Sequence, residues 1–265
     1  MCKIGVEVRL MTEGVLLIPA RGGSKGVKRK NLQIVHGVPL VIRTLNHAIY
    51  LRKFLNVKIC VSSDDVEILE LCSRYLIDLD IEFSQNLDDN LPVLLHYRSK
   101  KLSSDKSHTS DLIKDLSTIF KGLEMEFSYW CILQPTTPFR SSKDLKKVAS
   151  FVGKLSKNPS VISVERINEF HPSRMYSIFQ NKLKPLALDG YSSRRQDLSE
   201  IYIRDGGFYL LSNKLVKKNI TYNQSPLYFE RRMPWSINID TYYSLVLSQN
   251  IPIEQVLTDP NNEIN

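Results

Sequence analysis

No apolar run in these 265 residues approaches the roughly 18 that a membrane-spanning helix needs, so a membrane partner is not expected. The four cysteines, Cys2, Cys60, Cys72 and Cys131, lie far apart with no CxxC spacing, which indicates neither a disulfide framework nor a zinc site. Cys60 and Cys131 sit inside apolar runs and read as inert core thiols suited to a reducing cytoplasm. His36, His47, His96, His108 and His171 show no metal-ligand spacing and are assigned no catalysis. Internal repeats and low-complexity tracts are also missing. Residues 1–13 contain Lys3 and Arg9 but no continuous apolar segment, so they read as a leader rather than a signal peptide, ahead of one domain over 14–265.

What is present is an ordinary globular composition, 42% hydrophobic and 24% charged, in a chain long enough to bury a full core. The formal net charge of +8 is scattered apart from one loop, and no zinc-finger or RNP-like run accompanies it. A basic balance of this kind points to anionic small substrates rather than nucleic acid.

That loop follows the apolar run Val15-Leu16-Leu17-Ile18, a buried strand that stops at Pro19. It carries Gly22, Gly23 and Gly26 among Arg21, Lys25, Lys28, Arg29 and Lys30. Glycines let the backbone curl toward a ligand and aim N–H groups at phosphate oxygens, while the cations supply matching charge. The spacing is neither a Walker loop nor the GxGxxG dinucleotide fingerprint. Lys28 and Arg29 read as solvated.

Downstream, helical periodicity covers Val38 to Phe54, Asp65 to Ile77, Thr109 to Leu123 and Lys143 to Leu155, with Thr109 or Ser110 as a cap. Strand character marks Val57–Val61, Ile81–Phe83, Ser128–Leu133, Ser160–Val164 and Ile201–Leu211, and Asp88 to Lys106 reads as an irregular loop. Strands alternating with helices predict an α/β fold, a Rossmann-like wound and mainly parallel sheet. The strand tip Gln134-Pro135-Thr136-Thr137-Pro138-Phe139-Arg140 belongs beside the first loop, because ligands in open α/β sheets bind beyond the carboxyl ends of strands. Between Glu165 and Ser199 the alternation stops.

ARGGSKGVKRKN, LQPTTPFR and SINIDT resemble signature segments of the acylneuraminate cytidylyltransferases, the enzymes that activate sialic acids. The resemblance runs from Val15 to about Asn250. It implies transfer of CMP from CTP to a sialic or related nonulosonic acid, with release of pyrophosphate, Mg²⁺ as cofactor, a homodimer and a cytoplasmic, bacterial setting that feeds surface glycan synthesis. It implies that 165–200 is a dimerisation extension. Cytidylyl transfer to 3-deoxy-manno-octulosonate, or a catalytically weak nucleotide- or sugar-binding homologue, are the alternatives.

Carried over by position, Ala20, Arg21, Gly22, Gly23, Ser24, Lys25, Asn31, Arg98 and Thr109 would bind the nucleotide, with Arg21 and Lys30 stabilising the departing pyrophosphate. Arg98 and Ser104-Asp105 keep the spacing of the family's base-reading segment. Gln134, Arg174, Arg195, Gln196, Asp205 and Tyr209 would bind the sugar. Asp240 would hold the metal, although by capping preference it can instead cap the helix that begins at Thr241. Asn238 stands where the family has a second aspartate, and Asp205 where it has an asparagine. The latter change predicts a modified nonulosonic acid as the preferred substrate.

Overall fold

The computed structural model describes residues 14–87, 89–104, 106–167, 169–187, 194–218, 220 and 222–252, with Arg195 described by its backbone. The expected leader, 1–13, and Asp105 lie outside the described residues.

The chain opens with β1 (Gly14–Pro19), whose side chains from Val15 to Ile18 are fully buried. A hairpin follows, β2 (Ile34–Val35) and β3 (Val38–Pro39), turned by His36 and Gly37, both at positive φ. This hairpin takes the residues expected to start the first helix, so α1 runs Leu40–Leu51. Next come β4 (Val57–Ser63), α2 (Val66–Asp78), β5 (Phe83–Ser84) and β6 (Val93–Tyr97). Asp65 caps α2 by accepting from the Glu67 N–H.

β6 corrects the expected irregular stretch from Asp88 to Lys106. Its four apolar and partly apolar residues are too short a run to announce a strand, yet Val93, Leu94 and Leu95 are buried between β4 and β5. The chain continues through α3 (Thr109–Gly122), β7 (Tyr129–Ile132), α4 (Ser142–Val152) and β8 (Ser160–Ile167). The N-cap of α3 is His108, whose N–H donates to Asp111, rather than Thr109 or Ser110. Then come the small hairpin β9 (Tyr176–Phe179) and β10 (Lys182–Pro185), the long β11 (Ile201–Ser212), α5 (Asn213–Val216), β12 (Leu227–Arg231) and α6 (Tyr242–Asn250).

Eight strands form one sheet in the order β12-β8-β11-β7-β1-β4-β6-β5, and only β11 runs against the others. Alternating side chains of β1 serve two cores. Leu16 and Ile18 pack under α1, α2 and α4, while Val15 and Leu17 pack under α3 and α5. This is the wound, mainly parallel α/β architecture expected. After β1 the chain moves to β4 on one side and later returns to β7 on the other, so the strand order reverses between β1 and β7. A crevice at such a reversal is where wound sheets bind ligands.

Candidate active site

The crevice exists, as a cleft of about 550 Å³ over the carboxyl ends of β1, β6 and β7. Each wall is built by a different strand tip. The loop after β1 contributes Arg21, Ser24, Lys25, Lys30 and Asn31; the tip of β6 and the start of α3 contribute Arg98 and Thr109; the tip of β7 contributes Gln134; and the segment before α6 contributes Asn238 and Asp240. Residues expected to bind nucleotide, metal and sugar thus converge from positions far apart in the chain.

The β1 loop is pinned at several points. The Ala20 N–H donates to the Ser62 carbonyl at 2.9 Å, prolonging the ladder, and the Gly22 N–H donates to Asp64 Oδ1 at 3.0 Å. Asn31 Nδ2 donates to the Arg21 carbonyl at 2.7 Å, closing the loop on itself. Gly23, exposed in the same loop, has open space where a Cβ would stand. Arg29, read as solvated, is exposed as expected and also bridges Asp65 and Glu67 at 2.9 Å each, tying the loop to α2. At Gly26 a Cβ would overlap the Asp240 carbonyl oxygen, so glycine is what lets the loop pack directly on the Asp240 backbone.

Asp240 does not cap α6, because Thr241 does, accepting from the Ser244 N–H at 3.2 Å. Its carboxylate turns to the cleft. Oδ1 takes Lys30 Nζ at 2.9 Å and Oδ2 takes Asn238 Nδ2 at 3.0 Å. Asn238 Oδ1 is buried with no protein partner. Arg98 is 6% exposed, and its Nε likewise has no partner; burial lowers the guanidinium pKa, an effect that Asp64 opposes. Cationic walls, one carboxylate and unsatisfied buried polar atoms suit a polyanionic ligand carrying a cation.

The family model described as Cytidylyltransferase matches residues 15–250. The chain belongs to the cytidylyltransferase family. The chain is 30% identical over 254 residues to the CMP-N,N'-diacetyllegionaminic acid synthase of Legionella pneumophila, covering 94% of this chain and 96% of that one. It is 28% identical to N-acylneuraminate cytidylyltransferase A of Danio rerio over 84% of its own length, but over 47% of the fish protein. The chain thus spans about half the length of several relatives it matches. Among solved structures, CMP:2-keto-3-deoxy-manno-octonic acid synthetase complexed with CTP superposes with a TM-score of 0.54 at 12% identity, over 90% of this chain and 100% of that one. The likeness to that enzyme establishes a shared fold.

Not every expected sugar residue reaches the cleft. Asp205 is 3% exposed and faces inward: Arg231 Nη1 donates to it at 2.7 Å, Ser163 Oγ at 2.5 Å and the Gly207 N–H at 3.0 Å. With its charge already matched inside the protein, it neither repels nor binds a sugar from that position, which removes the reason to expect a modified sugar. Tyr209 is half-buried beside the cleft, stacked on Tyr222 with ring centroids 6.5 Å apart, and burial raises its pKa. Arg174 is exposed in a short turn after β8, and Gln196 lines a separate depression with Arg166 and His171.

A charged layer beneath the cleft went unread in the sequence. Arg140 is 2% exposed and donates to the carbonyls of Gln134 (2.7 Å), Thr137 (2.8 Å) and Gly207 (3.0 Å). Burial, and then the nearby charge of Arg231, brings its pKa down to about 9. Arg231 binds Asp205 and Asp144 and also donates to the carbonyls of Phe139 and Trp235. Two buried arginines therefore hold the β7 tip, β11 and the segment leading to Asp240 in register. The one clue was Arg140 itself, a charge directly after apolar Phe139.

Proposed function

We propose that the chain transfers CMP from CTP to a sialic or related nonulosonic acid, releasing pyrophosphate. The observation that carries this reading is the meeting, in one cleft, of the cationic β1 loop with Arg98, Gln134 and the Asn238–Asp240 pair. Arg21, Ser24, Lys25 and Lys30 line the wall that faces a triphosphate, and pre-placed cations there stabilise charge that builds on the departing pyrophosphate. Arg98 and Thr109, on the opposite wall, read the cytosine. Gln134 orients the sugar acid so that its anomeric hydroxyl attacks the α-phosphorus in line.

Mg²⁺ fits this cleft. Such ions use one or two carboxylates together with substrate phosphates and waters. Asp240 supplies the carboxylate, and the unpartnered Asn238 Oδ1 supplies a neutral oxygen. When bound, the cation neutralises phosphate charge and aligns the reacting groups. Asn238 adds no negative charge, so cation affinity rests on Asp240 and the nucleotide.

The homodimer belongs to the same proposal. Hairpin β9–β10 exposes Ile178 (77%), Phe179 (63%) and Leu183 (66%), an apolar surface suited to a second copy. In that reading Arg174 and Gln196, which lie outside this chain's own cleft, serve the other subunit's. Cytoplasmic, bacterial surface-glycan synthesis is the setting proposed for such a product; none of the described helices is long and apolar enough to cross a membrane.

The test is pyrophosphate release from CTP and Mg²⁺ with N-acetylneuraminate, legionaminic and pseudaminic acids, and 3-deoxy-manno-octulosonate. Release with any of the first three supports the reading. Release with the last alone moves the chain to the other cytidylyltransferase class, and CTP binding without release from any acid makes it a binding homologue.

A further inference from the structure

Each oxygen of the carboxylate expected to hold the cation already has a partner within the chain. Asp240 Oδ1 is paired with Lys30 Nζ at 2.9 Å; the Lys30 side chain is 13% exposed and that of Asp240 66%, so a largely buried cation reaches out to a carboxylate at the open rim of the cleft. Oδ2 accepts from Asn238 Nδ2 at 3.0 Å. An aspartate at 238 would repel Asp240 instead of donating to it. The asparagine therefore turns a doubly acidic pair into a singly charged, hydrogen-bonded one, and Lys30 cancels the charge that remains.

The cleft as a whole reinforces this balance. Among the described residues, Arg21, Lys25, Lys30 and Arg98 line it against the single carboxylate of Asp240, and no cluster of three metal-ligating side chains is found. A bare divalent cation entering such a cleft meets a positive field. A triphosphate reverses that field and offers Lys30 a stronger partner than Asp240.

We infer that Lys30 and Asn238 form an interlock that competes with cations for Asp240 and keeps it a weak ligand until a nucleoside triphosphate draws Lys30 away. Cation and nucleotide loading are thereby coupled, and by linkage the coupling runs both ways. The inference rests on the proposed use of Asp240 as the cation's carboxylate.

Its test needs no turnover. Mn²⁺ binding to the nucleotide-free protein is followed by the loss of free-ion electron paramagnetic resonance signal, for the wild type, Asn238→Asp and Lys30→Gln. The wild type is expected to hold Mn²⁺ only weakly. Both variants are expected to bind it about tenfold more tightly or better, Asn238→Asp by adding a charge and Lys30→Gln by freeing one. Thermal melts establish that each variant is folded. Wild-type binding as tight as that of both folded variants would overturn the interlock. Should Asp240→Asn leave the Mn²⁺ affinity of Asn238→Asp unchanged, Asp240 is not the ligand and the inference also fails, whatever the enzyme does with CTP.

Discussion

Two buried arginines, Arg231 and Arg98, are nearly equal in exposure, at 2% and 6%, and opposite in what surrounds them. Arg231 has its donors taken by two carboxylates and two carbonyls of the protein itself. Arg98 keeps an Nε with no partner and faces the cleft. A buried cation whose hydrogen bonds are met internally builds the scaffold. One whose bonds are left unmet is paid for by something outside the chain. Burial alone does not separate scaffold from site; satisfaction does.

The strongest way to break this contrast is Arg231→Ala. It strands Asp205 without its cation, and we expect a loss of about 3–5 kcal/mol in urea unfolding, with Asp205→Asn costing clearly less. The milder variant should leave the preference among sugar acids unchanged, since Asp205 has no exposure to them.

A smaller effect comes from pH. Burial, together with the charge of Arg140, Arg43 and Arg231, holds His47 well below its ordinary pKa, and burial also lowers His96. The unfolded chain takes up protons below about pH 6.5 that these folded histidines refuse. Stability is therefore full above that value. It falls as the pH drops toward the folded-state values, by up to about 1.4 kcal/mol per pH unit for each histidine. Urea midpoints at pH 7.5 and 5.5 measure it, and an equal or higher midpoint at pH 5.5 would contradict the assignment.

The smallest stability change is expected for Arg98→Gln, within about 1 kcal/mol of wild type. CTP binding, followed by calorimetry, should weaken about thirtyfold or more, as charge-assisted hydrogen bonds to the ligand are lost. A variant that unfolds as readily as Arg231→Ala would erase the distinction between the two residues.

The sequence made the ligand-facing half of this contrast readable and hid the other. The β1 loop and the QPTT tip advertise themselves because glycines, cations and strand-stopping prolines cluster within a few residues. Arg231 gives no local sign, since its partners Asp144 and Asp205 are distant in sequence and meet only after β8, β11 and β12 have paired. The same lack of local signal led Asp205 to be read as a sugar contact. Strand β6 was missed because its four core residues are legible only beside β4, whose register they complete. The Thr109 cap went to His108 for a related reason: Asp111 reaches back to the backbone N–H before α3, and that reciprocal bond is decided by geometry rather than residue type.

Strands β8 and β11 leave and re-enter the sheet side by side, with Ile167 directly opposite Ile201. Everything between those residues, the apolar hairpin included, is grafted onto the sheet at a single hairpin-like junction. Such an insert can be lengthened, shortened or exchanged for a two-residue turn at little cost in chain closure. Lineages can therefore remodel this insert while leaving the β1 loop and the strand tips that line this chain's own cleft untouched, and an engineer can do the same.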